Sequence, residues 1–184
     1  MLPSVRDYPR APWWEPQDDD PPGSLLPTAG IVALLYRHGI EHPWLAAAAE
    51  FCWRRIEALG GTNPYEVRSV LPFLEHAPDR PRAEEAFARV GPKVFEQGLV
   101  ETDPGAPGEV HTPLDFAPRP GSLARGLFED GAIEAHLDAL AAAQQDDGGW
   151  SFNWPRWNAA TTLEWRGFMT VRALSILQAY GRLP

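Results

Sequence analysis

Two carboxylates of this chain sit where they could do acid–base work. Glu164 stands in Leu163-Glu164-Trp165-Arg166-Gly167, at the start of an apolar C-terminal stretch, and Asp115 stands in Pro113-Leu114-Asp115-Phe116-Ala117-Pro118. Beside aromatic rings Glu164 would be desolvated, which raises a carboxyl's pKa and suits a general acid, and Arg166 would orient an anionic or polar substrate group. Asp115 would be the second carboxylate of a pair. Each residue also has a plainer reading. A carboxylate near a helix N-terminus is favoured by the dipole and pairs with arginine, and an aspartate in a Pro-rich turn accepts local backbone hydrogen bonds.

Trp150, Trp154, Trp157 and Trp165 are four of the eight tryptophans, crowded into one short stretch. Such rings would line a pocket for an apolar chain or face a cation. Trp150 reads as part of a structural turn. Trp154, Trp157 and Trp165 are candidate ligand-contacting rings, with core or interface packing as their other use. The remaining polar groups carry weaker signals. Asp18-Asp19-Asp20 lies among prolines and reads as a solvated loop. His38 and His42 have i, i+4 spacing, but Gly39 and Pro43 interrupt any helix that would aim both at one metal. Cys52 is the only cysteine, so there is no internal disulfide and no thiolate zinc cage within one chain. No metal site and no cofactor are expected.

The elements that must position these residues are helices. The chain has 184 residues, 44% of them hydrophobic, and a net charge of −9, which predicts one soluble acidic domain, 1–184. The acidic balance, with no basic cluster, argues against nucleic acid. No window is long and apolar enough to span a membrane, and the N-terminus lacks a basic stretch followed by an apolar run, so the cytoplasm is the expected location.

Residues 1–27 are Pro-rich and read as irregular; helix pairs are expected over 28–184. Thr28 to Tyr36 carries no charge and predicts a helix buried on most sides, an inner helix. Residues 43 to 59 place Leu45, Ala48, Ala49, Cys52, Ile56 and Leu59 on one stripe, with Glu50, Arg54, Arg55 and Glu57 off it, as in an outer helix. Tyr65 to His76 is inner again, with Pro72 expected to kink it or confine it to short turns. Arg80 to Phe95 is one-sided. The prolines and glycines of 97–122 predict a loop in place of an inner helix. Residues 130 to 144 are outer, and Thr161 to Tyr180 is the clearest inner helix, with Arg172 the one charge in its latter half. Outer helices recurring about every 40 to 50 residues suit helix-pair repeats. The expected fold is therefore all-α, an α/α toroid built as a partial ring of alternating inner and outer helices.

Between the last two helices runs Gln144-Gln145-Asp146-Asp147-Gly148-Gly149-Trp150. It resembles the QW motif of terpenoid cyclases and prenyltransferases, which staples the outer helices of an α/α toroid around a cavity for an isoprenoid chain. Gln144 and Trp150 keep that spacing. The resemblance implies that Gln144 bonds the end of a neighbouring helix while Trp150 packs over it; Gly148 and Gly149 supply the tight turn. Tyr8-Pro9-Arg10-Ala11-Pro12-Trp13-Trp14, the Pro113 to Pro118 stretch and Leu163 to Gly167 further resemble the C-terminal part of an actinobacterial group with prenyltransferase and squalene-cyclase repeats. Members of that group carry more helices upstream, which implies that this chain is an incomplete ring.

The departures bear on function. The Asp-x-Asp-Asp acid of squalene-hopene-type cyclases has no counterpart with its spacing, and Cys52 lacks the aspartate that precedes the zinc cysteine of protein prenyltransferases. Three expectations follow. The first is a terpenoid-cyclase-like or prenyltransferase-like protein binding an apolar, isoprenoid-type molecule in a central cavity. The second is a non-catalytic binding or assembly module on the same scaffold, and the third a carbohydrate-active toroid using Asp115 and Glu164 as paired acids. An incomplete ring would leave two apolar flanks open, to be covered by Trp13, Trp14 and the N-terminal segment, by a second copy in a homo-oligomer, or by an upstream half.

Overall fold

The computed structural model describes residues 6–8, 22–156 and 158–183, and these contain helices and no strand. The expectations for Trp13, Trp14, Asp18, Asp19, Asp20 and Trp157 lie outside the described residues. Helix α1, Leu25–Arg37, begins within the segment expected to be irregular. The Ser24 hydroxyl caps it by accepting from Leu26 N at 3.3 Å, and Pro27 is tolerated because first-turn N–H groups have no intrahelical acceptor. Helix α2 spans Leu45–Glu57 and buries Ala48, Ala49, Cys52, Trp53 and Ile56. That is the middle of the expected stripe plus Trp53; Leu45 and Leu59, at the ends of the stripe, are only partly buried.

Helix α3, Pro64–His76, runs unbroken through Pro72, where a kink or short turns were expected. Asn63 caps its start, accepting from Glu66 N at 3.0 Å. Pro72 removes one ladder donor, but fully buried Val67, Val70, Phe73 and Leu74 fix the helix on its other side. Packing outweighs the missing bond.

The one-sided stretch from Arg80 is divided in two. Helix α4, Arg80–Val90, ends at Gly91, and a single turn, α5, Lys93–Glu96, follows Pro92. Proline cannot donate within a continuous ladder, so the apolar pattern outruns the helix. The loop of 97–122 holds one short helix, α6, Pro113–Phe116, and leads to a 3-10 turn at Leu123–Leu127. Helix α7 spans Asp130–Ala142 and α8 spans Ala159–Ala179.

Helix α1 packs on α2 and α3; α3 reaches α4, α6 and the 3-10 turn; α6 lies on α7, and α7 on α8. Trp53 meets Phe73 edge-on at 4.8 Å in the core between α2 and α3. The fold is all-α. Its first and last helices differ from expectation, because each is covered on one side only. On α1, Leu26, Ile31 and Leu34 are exposed; on α8, Leu163 is 68%, Phe168 56% and Val171 66% exposed. Their largely apolar sequences predicted burial on most sides, yet these side chains are left uncovered by the other described helices.

Candidate functional site

The turn between α7 and α8 is built as a staple, with one change in how. Trp150 is 4% exposed, and its indole Nε1 donates to the Leu140 carbonyl at 2.7 Å. Leu140 lies in the last turn of α7, where carbonyls lack intrahelical donors, so the ring both covers and satisfies the helix end. Trp150 N donates to Thr170 Oγ1 at 3.0 Å, which ties the turn to α8. Gln144 does not reach a neighbouring helix. Its Nε2 donates to Gly148 O at 2.9 Å and closes the turn upon itself, because Gly148 at φ +83° brings its carbonyl back toward α7. Gly149 fits closely: a Cβ there would lie 3.2 Å from Arg166 Nη2 and 3.3 Å from Thr170 Oγ1, so those side chains would have to shift slightly.

Arg166 belongs to this staple as well. Its Nη2 donates to both Asp147 oxygens, at 2.8 and 2.7 Å, so the guanidinium clamps the turn onto α8. The Arg166 contacts hold the Asp147 carboxyl below the ordinary aspartate range. Glu164 is exposed. The desolvation that a general acid there would need is not provided, since Trp165 turns toward Trp154 and Phe168.

Those rings form a ladder. Phe152 stacks on Trp154 at 4.6 Å, Trp154 meets Trp165 edge-on at 5.0 Å, and Trp165 meets Phe168 edge-on at 5.5 Å. Edge-to-face and offset pairs add about 0.5–1.5 kcal/mol each beyond burial. Phe152 anchors the ladder in the interior, and Phe168 ends it in solvent. Trp154 and Trp165, both half-buried, thus carry an aromatic surface out to the open face of α8.

Asp115 occupies a different place, inside a polar cluster between α3, the loop and α8. Its side chain is 10% exposed. Oδ2 accepts from Thr112 N at 2.8 Å and from Thr112 Oγ1 at 3.2 Å, capping α6. Oδ1 accepts from Arg172 Nη2 at 2.7 Å and faces Arg68 Nη1 at 3.3 Å. Arg68 Nη1 also lies 3.3 Å from His111 Nδ1; as a guanidinium only donates, Nδ1 accepts and the ring proton sits on Nε2. Tyr65 packs edge-on against His111 at 4.7 Å and donates its hydroxyl to Glu109. Burial holds His111 below the usual imidazole value, with Asp115 opposing, and burial likewise lowers Arg172 while Asp115 raises it.

The two proposed acids are therefore not brought together. Asp115 is committed to two guanidiniums and a helix cap, and Glu164 lies on the exposed arc of α8. Sequence reasoning passed over Tyr65, Arg68 and His111, for which nothing local signals a cluster. Arg172 carried a signal, being the lone charge in an apolar half-helix, where a buried cation needs a partner. His42 Nδ1 accepts from Trp44 N at 3.1 Å, His38 caps the end of α1, and Cys52 is buried. Among the described residues no group of three His, Cys, Asp or Glu is placed to hold a metal ion.

The fold defines a class and no more: an all-α protein of packed helices with an aromatic face and an arginine-rich polar cluster. Compared with protein-family models, curated proteins and solved structures, the chain has no significant match to any of them. Among the described residues no helix is long and apolar enough to cross a membrane.

Proposed function

We propose that this protein binds an apolar, isoprenoid-type organic molecule along the uncovered face of α8, on a scaffold of the terpenoid-cyclase and prenyltransferase kind. The observation that carries the reading is the ladder Phe152–Trp154–Trp165–Phe168, which leads from a buried ring to the exposed Phe168 on a helix that also exposes Leu163 and Val171. Rings held by their neighbours give contact area with little entropy left to lose. No reaction is assigned, because Asp115 is engaged as a structural carboxylate. Farnesol, a neutral isoprenoid alcohol, should quench tryptophan fluorescence saturably, and Phe168→Ala should weaken that binding severalfold while leaving the fold intact. Non-saturable quenching, or equal affinity of the variant, would overturn the reading.

A second reading, assembly, is favoured by one separate observation: the half-exposed Leu26, Ile31 and Leu34 on α1 form an apolar patch away from the polar cluster. Its occupant would be a second copy of the chain, since like helix faces bury each other about a two-fold axis. Light scattering across a dilution series, with Leu34→Glu beside the parent, tests it; a monomer at every concentration rejects it.

A further inference from the structure

Resting on the assembly reading of α1, we propose that the surface α1 meets is α8 of a second copy, laid antiparallel so that Arg37 of one copy pairs with Glu164 of the other.

Both uncovered faces are apolar, and each carries one full charge. On α1 the uncovered side holds Leu26, Ile31, Leu34 and Arg37; on α8 it holds Leu163, Glu164, Phe168, Val171 and Leu174. The two charges are opposite in sign. Among the described residues neither the Arg37 nor the Glu164 side chain makes an ion pair or a hydrogen bond. Within the chain Arg37 acts on His76, which carries no negative charge. Glu164 lies beyond the first turn of α8, where the helix dipole no longer rewards a carboxylate, and no basic residue stands three or four positions from it. Nothing inside the chain accounts for a lone carboxylate on an otherwise uncharged exposed arc.

The spacing sets the orientation. Backward from Arg37, the face residues Leu34, Gly30 and Pro27 follow at steps of three, four and three; forward from Glu164, Gly167, Val171 and Leu174 follow at the same steps. Such steps keep residues on one side of a helix. An antiparallel pair with Arg37 against Glu164 therefore sets Leu34 opposite Gly167 and Gly30 opposite Val171. Each glycine faces a large side chain, and a Cβ on either would meet nothing within 4 Å of its own chain, so both leave room for the partner. A parallel pair that kept the same ion pair would run α1 off the start of α8 at Ala159. Pairing α1 with α1 would leave Phe168 and Val171 bare. Phe168 is then a shared residue: farnesol lying on it and α1 of a second copy exclude each other, so the ligand opposes assembly.

Sedimentation equilibrium across a dilution series tests the contact. Arg37→Glu and Glu164→Arg should each raise the dissociation constant about tenfold or more, because like charges then meet. The double variant, with the pair reversed, should return most of the way to the parent. Val171→Glu should break association as Leu34→Glu does, and saturating farnesol should weaken it. If Leu34→Glu dissociates the copies while Val171→Glu and both charge variants do not, the α8 contact is overturned and assembly through α1 stands; a parent monomeric at every concentration overturns both. A double variant no tighter than the single ones rejects the antiparallel ion pair, and bound farnesol that leaves association unchanged puts the second copy elsewhere than on Phe168. Should a charge variant melt well below the parent, Val171→Glu decides alone.

Discussion

The indole of Trp150 donates to the Leu140 carbonyl at 2.7 Å, so the ring that covers the end of α7 also satisfies one of its orphan acceptors. Burial and hydrogen bonding are fused in one side chain, and the two can be separated by mutation. Trp150→Ala should destabilise the protein by about 3–5 kcal/mol, the cost of truncating a buried tryptophan. Trp150→Phe keeps much of the area but leaves the carbonyl unpaired, and should cost about 1–3 kcal/mol. Urea denaturation measures both; a Phe variant as unstable as the Ala variant would show that the donor outweighs the area.

The clamp of Arg166 on Asp147 predicts a pH effect of definite sign. The folded-state pKa of Asp147 is depressed, so its contribution is present above the ordinary aspartate value and is lost as pH falls through the lower, folded value. Asp147→Asn should be less stable than the parent near neutrality, and the difference should shrink toward zero in acid. Denaturation curves at neutral and strongly acidic pH measure it; a gap that persists in acid would point to a lost cap at Gly149 N, where Asp147 Oδ1 accepts at 3.1 Å.

Asp115 joins α3, α6 and α8 through Arg68, Thr112 and Arg172. Asp115→Ala leaves two guanidiniums facing each other without an anion, and should cost about 3–5 kcal/mol. Adding octanoate should restore part of that loss if a carboxylate enters the vacated place. Thermal melting with and without octanoate reads both effects.

Cys52 is buried, and burial pushes its thiol up to about 11. The reactive thiolate is scarce at neutral pH and shielded. A disulfide reagent should label the native protein slowly and the urea-unfolded protein at once. Rapid labelling without denaturant would mean that α2 opens locally.

Much of the architecture could be read from the residues because helices report themselves through local pattern. The stripe of Ala48, Ala49, Cys52 and Ile56 on α2 and the stop at Gly148 each depend on side chains a few positions apart. The failures were also local in cause. Pro72 suggested a kink or short turns, but one continuous helix runs through it, held by the packing of Phe73 and Leu74; the apolar pattern from Arg80 continued through Gly91 and Pro92, where the backbone could not.

The site divided along the same line. Sequence alone placed Trp150 in a turn between two helices and marked Arg172 as the one charge in the latter half of its helix. Only the tertiary structure decided who the partner is. Asp115 lies 57 positions from Arg172 in sequence, and the loop of 97–122 carries no periodicity that would predict its path. The same holds for exposure. Periodicity says which residues avoid charge, whereas the number of neighbouring helices decides whether they are covered, and on α8 that number leaves Phe168 in solvent.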